Sequence, residues 1–304
     1  MATGYDVSAL GAYTKDSADK NSVIYKHIAE GDSAKFFPVQ TGIKSADNIH
    51  LIETTPVWQA QACGFTASAN TAFSNTPLSV AKIGIYMDWC EKDLEAKYTQ
   101  LMMKAGSDLD MLTFETQITE EILMKNRKKK ERAIWLGNTL STDQDLIHFD
   151  GIIKKIDADA TVTVVTPGAW SVANARTRMQ EFSSGLTDDM LNNETGKVFM
   201  GTQEYRDYRL AMINANLFHN DASSGPLRLE GTDLEIVPTI ALSGTKKFFY
   251  IPTEYQFIGT DLENEFETFS LEYAKEARKI RFILEFKLGV QHVFGSLFAK
   301  MYNT

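Results

Sequence analysis

Four carboxylates near the C-terminal end of the chain have the spacing of one strand face. They are Asp261, Glu263, Glu265 and Glu267, each separated from the next by a single residue. Because side chains two residues apart on a strand point the same way, all four would share one side. Such a row suits a divalent cation or a basic partner. It is equally typical of a solvated edge strand that resists aggregation, and we favour that interpretation.

A second cluster of charge is the basic run from Lys125 to Arg132, with the sequence KNRKKKER. Runs of this kind are typical of nucleic-acid patches. On a helix, however, consecutive residues point around the whole circumference, and acidic residues precede this run. We therefore favour a solvated or intersubunit salt-bridge role for these charges over DNA binding.

Signatures of enzymatic chemistry are missing from the sequence. It contains no GxGxxG, GxxxxGK(S/T), GxSxG or HExxH motif, which mark common nucleotide, acyl-transfer and zinc-protease sites. Cys63 and Cys90 lie in different predicted elements, which favours free thiols over a disulfide or a zinc site. The histidines stand alone in separate elements, as ordinary histidines do; they are His27, His50, His148, His219 and His292. We therefore assign no catalytic, cofactor-binding or metal-ligating residue, and we expect neither a cofactor nor an enzyme.

Composition sets the class of protein. A chain of 304 residues with 43% hydrophobic content can bury one large core or two modest ones. No apolar run approaches the length of a membrane span, and the N-terminal sequence has neither the basic nor the apolar region of a secretion signal. The net charge of -9 argues against non-specific affinity of the whole chain for nucleic acid. We expect a cytoplasmic protein that does not enter a membrane.

Two long elements dominate the predicted fold. Residues 261 to 304 read as a terminal β-ribbon, in which apolar residues alternate with charged ones between Lys279 and Leu288. Residues 269–273 form its antiparallel partner across a short connection at 274–277. Helical spacing of apolar residues predicts a long helix from Thr113 to Leu136, about 35 Å in length. Because the ribbon needs a surface to lie on, we expect this helix to pack against it.

The N-terminal third has few means of packing on itself. Residues 1–40 lack any sustained period and predict a loosely ordered arm. Between Gln40 and Trp89 two β-rich arms, residues 42–65 and 77–89, flank an uncharged tip at 66–76. A protruding hairpin of this length is unstable alone, so it implies a partner surface, such as a second copy of the chain.

Mixed helices and strands are predicted for the rest. Asp88 and Glu91 form a capping-box pattern at the start of a helix to Ala105, and residues 142–159 contain an apolar helical segment interrupted at Asp150-Gly151. The block from 166 to 252 alternates between the two types of element. Its helices begin at Ser171 and Thr202, and its strands cover residues 197–200, 234–240 and 247–251.

This order of elements resembles the major capsid proteins of tailed bacteriophages, with the Hong Kong 97-type fold. The stretches that carry the resemblance are VQTGIKSADNIHLIETTPVWQAQACGF, FDGIIKKI, KVFMGTQEYRDYRLAMINANLF and FIGTDLENEFETFSLEYAKEARKIRFILEFKLGVQ. The resemblance implies an α+β fold with five parts: an N-terminal arm at 1–40, an extended loop at 41–89, a peripheral domain with its spine helix at 90–165, an axial domain at 166–252, and a terminal β-ribbon at 253–304 that returns to the peripheral domain.

The same resemblance implies a structural function. Pentamers and hexamers of the chain would assemble into an icosahedral shell around double-stranded phage DNA, without sequence-specific contact with that DNA. Partners would be further copies, a portal, and scaffolding or decoration proteins; the location would be the virion, assembled in the bacterial host cytoplasm. The tip from Gln59 to Thr76 contains no lysine, unlike relatives that cross-link subunits through a loop lysine. Reinforcement should therefore be non-covalent.

Two alternatives remain open from the sequence. One is an encapsulin-like nanocompartment shell, which shares the fold and encloses a cargo enzyme in place of a genome. The other is a soluble metal-dependent enzyme that uses the acidic row at 261–267, and it predicts loss of activity on Glu263→Ala or Glu265→Ala.

Overall fold

The computed structural model describes residues 33–58, 70–90, 112–166, 168–215, 227–261, 270–274, 276 and 279–304. Several sequence-based predictions lie outside these residues. They are the loose arm up to residue 32, the helix from residue 91 to Ala105, and the side chains of Cys63, His27, His219, Glu263, Glu265 and Glu267.

Strands and helices alternate along the described chain. The strands are β1 (Val39–Gln40), β2 (Ala46–Thr55), β3 (Asn70–Ser79), β4 (Ala81–Cys90), β5 (Thr163–Val164), β6 (Gly196–Gly201), β7 (Glu235–Thr239), β8 (Lys247–Pro252), β9 (Gln256–Gly259), β10 (Ser270–Ala274), β11 (Lys279–His292) and β12 (Ala299–Tyr302). The α-helices are α1 (Leu112–Leu136), α2 (Ile152–Ala158), α3 (Ala175–Ser184), α4 (Asp188–Leu191) and α5 (Thr202–Asn214). Mixed α and β content is therefore confirmed.

Strand β11 is the centre of the first sheet. Its residues 279–288 pair antiparallel with β4, and residues 279–283 also pair with β10 on the opposite edge. The C-terminal end of β11 pairs with β9, which in turn holds β1 in parallel. The predicted β10–β11 hairpin is confirmed, with Tyr273 opposite Ile280.

Helix α1 covers one face of this sheet. The alternation in β11 buries Phe282, Leu284 and Leu288, whereas Arg281 and Glu285 are exposed. Ile122 of α1 packs against Phe282 and Leu284. The long helix begins one residue before the predicted start and ends at the predicted residue, and its contact with the terminal ribbon is as predicted.

A hairpin of β2 and β3 extends from the first sheet, and it corrects the predicted loop. Its register runs from Ala46 opposite Ser79 to Thr55 opposite Asn70. The predicted tip at 66–76 is wrong, since residues 70–76 belong to β3. Thr71 and Phe73 favour extended backbone, and Thr54 Oγ1 lies 3.2 Å from Thr71 Oγ1 across the strands. Most of the predicted second arm forms β4 instead and pairs with β11.

Asp88 was predicted to cap a helix and lies instead in β4, opposite Arg281. Its carboxylate accepts a hydrogen bond from Lys279 Nζ at 2.7 Å. A capping box is a local pattern, and pairing with a distant strand overrides it here.

The second sheet has the order β5-β12-β8-β6-β7 and mixed direction. Strands β6, β7 and β8 confirm the three strands predicted within residues 166–252. Strand β12 differs from the expected ribbon, because the chain leaves the first sheet after His292 and joins the second. Phe294, with a left-handed φ of 55°, lies at this change of direction, and Ala299 and Met301 are buried beyond it.

The second sheet separates two apolar clusters. Neighbouring residues on one strand point to opposite faces, so Val198 enters one cluster and Phe199 the other. Helices α3 and α5 cover the first face, through Met179, Phe182 and Tyr208 among others. The C-terminal end of α1 and the helix α2 cover the second, through Trp135 and Ile152 among others.

Several helix boundaries differ from the predicted ones. Helix α3 begins at Ala175 because Ser171 Oγ donates to Asn174 Oδ1 at 2.9 Å in a turn. Thr202 is the first residue of α5, whereas Gly201 occupies the cap position. In the segment 142–159 only α2 is helical. The residues before it form turns, and Asp150 Oδ1 accepts hydrogen bonds from the backbone amide and hydroxyl of Thr139.

The end of the predicted N-terminal arm is packed. Ser33, Ala34 and Phe37 are buried, and Ser33 Oγ accepts a hydrogen bond from Trp135 Nε1 at 2.8 Å. Phe37 lies against Trp135 with ring centroids 6.5 Å apart. Residues 33–40 therefore belong to the core. Within the described part of the chain, no helix is both long enough and apolar enough to cross a membrane.

Candidate interaction surface

The hairpin β2–β3 presents large apolar side chains to solvent. Its two strands pair only with each other among the described strands. Ile52 and Phe73 lie directly opposite one another, with 63% and 76% of their surfaces exposed. Trp58, beyond the end of β2, is 96% exposed. An isolated pair of strands is marginal in water, so this surface suits burial against a partner.

The root of the hairpin is buried and closely packed, in contrast to its exposed end. Ile43, Ile49, Leu78 and Val293 are buried together there. A Cβ atom on Gly289 would lie 2.0 Å from the carbonyl oxygen of Ser79. The missing side chain at residue 289 therefore allows the β3–β4 corner to lie directly against β11.

An exposed tyrosine lies on the face of the first sheet that points away from α1. Tyr86 in β4 is 66% exposed, and its ring covers Gly84. Its hydroxyl donates to Glu285 of β11 at 2.5 Å. This contact between Tyr86 and Glu285 was not evident from the sequence. The available signal was a glycine two residues before an aromatic residue in a strand, where the ring shields the exposed backbone.

The acidic row does not form the predicted solvated face at Asp261. This carboxylate is buried and forms an ion pair with Lys287 Nζ, whose side chain is also largely buried. The described residues contain no group of three or more metal-ligating side chains. Asp261 is therefore a structural counter-ion of β11, which argues against an enzyme that uses the full row.

The basic run of α1 is divided between two environments. Lys129 Nζ pairs with Asp145 at 2.9 Å, and Arg132 with Asp143 at 3.1 Å, both near the surface. Lys130 turns the other way, with Nζ 4.1 Å from the ring centroid of Phe286. Burial lowers the pKa of Lys130 to about 8. Salt bridges within the subunit thus account for part of the run.

The described histidines have separate structural roles. His50 Nδ1 lies 2.8 Å from Asn75 Oδ1 across the hairpin, and His148 is exposed. His292 is buried, with Nε2 2.9 Å from Asp159 Oδ2. Burial raises the pKa of Asp159, but hydrogen bonds from Thr161 and His292 outweigh it and leave the pKa below its usual value.

Comparison with known proteins gives matches in structure only. No family model matches the sequence, and no curated protein matches it. A chain of the satellite phage P4 procapsid, which includes the size determination (Sid) protein, superposes with a TM-score of 0.67 at 10% identity and covers 98% of this chain and 96% of that one. The capsid of a native GTA particle gives a TM-score of 0.60 at 11% identity, with coverage of 90% and 96%. The capsid of Myoviridae phage XM1 gives 0.53 at 14% identity, with coverage of 88% and 90%.

These matches extend over nearly the whole of each chain, although few residues are identical. The likeness therefore applies to the fold of almost the entire chain. This chain has the mixed α and β fold of phage capsid structures.

Proposed function

We propose that the chain is the major capsid protein of a tailed bacteriophage and acts by self-assembly, without catalysis. The observation that carries this proposal is the hairpin β2–β3, which is packed at its root and apolar at its exposed end. Such a surface becomes stable when it is covered by an identical copy. The phage capsid fold supports the same conclusion.

The energetics of the hairpin favour assembly. Burying a side chain of the size of Ile52 or Phe73 contributes about 1.5 to 3 kcal/mol. A shell repeats each contact at every subunit, so modest contacts add up to a stable particle. Subunit contacts of this kind need no cofactor.

The Hong Kong 97-type organisation is part of this proposal. In it, β2–β3 lies within the extended loop at 41–89, α1 is the spine helix of the peripheral domain, and residues 166–252 are the axial domain of pentamers and hexamers. Because β12 joins β8, the last strand of the chain also stabilises the axial domain. The assembled particle encloses double-stranded DNA, with a portal and scaffolding or decoration proteins as further partners, inside the bacterial host.

Light scattering and negative-stain microscopy of the purified protein test the proposal. The wild-type chain should form shells or ring-shaped capsomers. The variant Ile52→Asn/Phe73→Asn should keep the fold of the subunit and lose the large particles, since both side chains are already exposed in the subunit.

The matched control is Glu53→Gln/Ala72→Ser, a directly opposed pair on the other face of the same hairpin. It should assemble as the wild type does. A wild-type chain that remains a monomer under all conditions would overturn the proposal. The contents of the particles distinguish a genome shell from a nanocompartment, which would contain a cargo enzyme in place of DNA.

A further inference from the structure

Four exposed cations form a single stripe along α1. They are Lys125, Lys128, Lys129 and Arg132, all exposed to solvent. Their spacing of three, four and seven residues places them on one face of a helix. At 1.5 Å per residue the stripe is about 10 Å long. The charges of the whole run do spread around the helix, because Arg127 and Lys130 line a pocket on the other side, but these four share one face.

The stripe lies on the opposite side of α1 from Lys130 and Ile134. Lys130 and Ile134 point toward β11, where they line a narrow pocket with Phe286 and Leu288. At 100° per residue, the four exposed cations lie on the opposite side from these two residues. The exposure of all four residues shows that the first sheet leaves the stripe accessible to solvent.

We propose that this stripe of α1 contacts the phosphate backbone of double-stranded DNA without reading its sequence. The inference deepens the proposed function and rests on it, because a shell subunit meets DNA only if the shell encloses DNA. It also assigns the side of the subunit that faces the interior of the particle.

The chemistry of the stripe favours phosphates over a protein partner. Protein interfaces are anchored by apolar and aromatic residues and are depleted of lysine at their centre. The stripe contains only cationic side chains. Lysine and arginine at regular intervals on a convex helix are well suited to phosphates that repeat along a duplex.

The salt bridges of the stripe do not prevent such a contact. The side chains of Lys129 and Arg132 remain 59% and 50% exposed while paired. Exposed ion pairs contribute at most about 1 kcal/mol, so phosphates can compete with Asp145 and Asp143. These two aspartates lower the affinity and keep the contact weak, as expected for a chain with a net charge of -9.

The test is the binding of a short fluorescent DNA duplex to unassembled full-length protein, by anisotropy across a series of NaCl concentrations. The variant Lys125→Gln/Lys128→Gln/Lys129→Gln/Arg132→Gln should bind more weakly, and its slope of log K against log salt should be smaller by about 2 to 4. Glutamine is a good helix former, so α1 should persist. Circular dichroism checks this point.

A matched control removes four exposed cations elsewhere, with Lys44→Gln, Lys82→Gln, Arg206→Gln and Arg228→Gln. It has the same net charge as the stripe variant and should bind DNA as the wild type does. Equal loss in both variants would overturn the inference, because total charge would then explain the binding. The double variant Asp143→Asn/Asp145→Asn should bind DNA more tightly, and an unchanged affinity would contradict the inference.

Assembly, measured in parallel, separates this inference from the proposed function. A stripe variant that forms shells but binds DNA poorly supports both. One that binds DNA normally and fails to form shells identifies the stripe as a protein contact and overturns the inference alone. A wild-type chain that never forms shells overturns the proposed function, whatever its affinity for DNA.

Discussion

The amine of Lys130 lies at the centre of the contact between α1 and the first sheet. It points into a pocket between the two elements, over the ring of Phe286. A charge held there loses much of its hydration, which is why burial lowers the pKa of Lys130 to about 8. The cation–π contact offsets only part of this cost. Below that pH the folded protein therefore contains an unfavourable charge.

Lys130→Met should stabilise the subunit at pH 7, by about 1 to 3 kcal/mol. Between about pH 8 and 10 the unfolded wild-type chain binds a proton that the folded chain does not bind, so wild-type stability rises with pH through this window. The advantage of the variant should therefore shrink above pH 8. Urea unfolding at several pH values measures the difference.

The control for Lys130→Met is Lys128→Met, at an exposed position of the same helix. Its stability should follow the wild type at every pH. A stabilisation of Lys130→Met that persists unchanged at pH 10 would show that packing, and not the charge, is responsible.

Asp261 supplies a second prediction at this scale. Asp261→Asn removes the carboxylate charge that pairs with the largely buried amine of Lys287 and should lower the free energy of unfolding by about 3 kcal/mol. Asp233→Asn removes the carboxylate from an exposed pair with Arg228, and should cost less than about 0.5 kcal/mol. If divalent cations stabilise the wild type but not Asp261→Asn, the carboxylate is a metal ligand and the assignment as a structural counter-ion is wrong.

Elements with a clear period were predictable from the sequence, as were the pairing of β10 with β11 and the contact of α1 with the ribbon, but the pairing of β4 with β11 was not. The alternation in β11 gives its buried face, and the spacing in α1 gives its length. Neither pattern indicates that β4 pairs with the second edge of β11, because the two strands lie far apart in the sequence. The hairpin tip was misplaced for a related reason. Small and polar residues at 70–76 are compatible with a turn, and only pairing with β2 makes them a strand.

The root of the hairpin gives a prediction at the level of elements. Gly289→Ala places a methyl group against the backbone of Ser79, which has little freedom to move, and should cost about 1 to 3 kcal/mol. Gly84→Ala meets only the ring of Tyr86, a side chain that can rotate, and should cost less. Thermal unfolding of the two variants provides the comparison. Equal losses of stability in the two variants would mean that the backbone at the root of the hairpin shifts easily to accept the methyl group.

At the scale of the whole molecule, the second sheet joins two apolar clusters. Phe199 and Val198 are neighbours in β6 and contribute to different clusters. A strand shared in this way should couple the two, so that neither cluster unfolds alone. The sequence predicted two sub-domains of mixed content. It did not predict that a single sheet would contribute to both clusters, because this depends on β12 leaving the first sheet and joining the second.

A single cooperative transition is therefore expected. Trp135 belongs to one cluster and Phe182 to the other. In a chain with Trp58, Trp89 and Trp170 replaced by Phe, the fluorescence of Trp135 reports on its own cluster. Phe182→Ala should lower the stability reported by Trp135 by about 3 to 5 kcal/mol, although the two side chains lie in different clusters. An unchanged urea midpoint for Trp135 would indicate two independently folding units.

The candidate surface was only partly visible in the sequence. A protruding hairpin that needs a partner surface could be recognised, because two β-rich arms flank an uncharged tip and a hairpin of this length is unstable alone. The opposed pair of Ile52 and Phe73 depends on register, which a single sequence does not fix. The stripe on α1 could not be predicted for another reason. The sequence does not show which side of the helix is buried, so it does not distinguish the exposed cations from Lys130.

The close contact at Gly289 also constrains how this protein can evolve. Positions such as Phe282 and Leu284 require only an apolar side chain of suitable volume, and several residue types meet that requirement. At residue 289, the carbonyl of Ser79 leaves no room for a side chain unless the backbone shifts. Homologous chains should therefore keep glycine at this position even where little else is retained, and a substitution there should appear only together with a rebuilt loop.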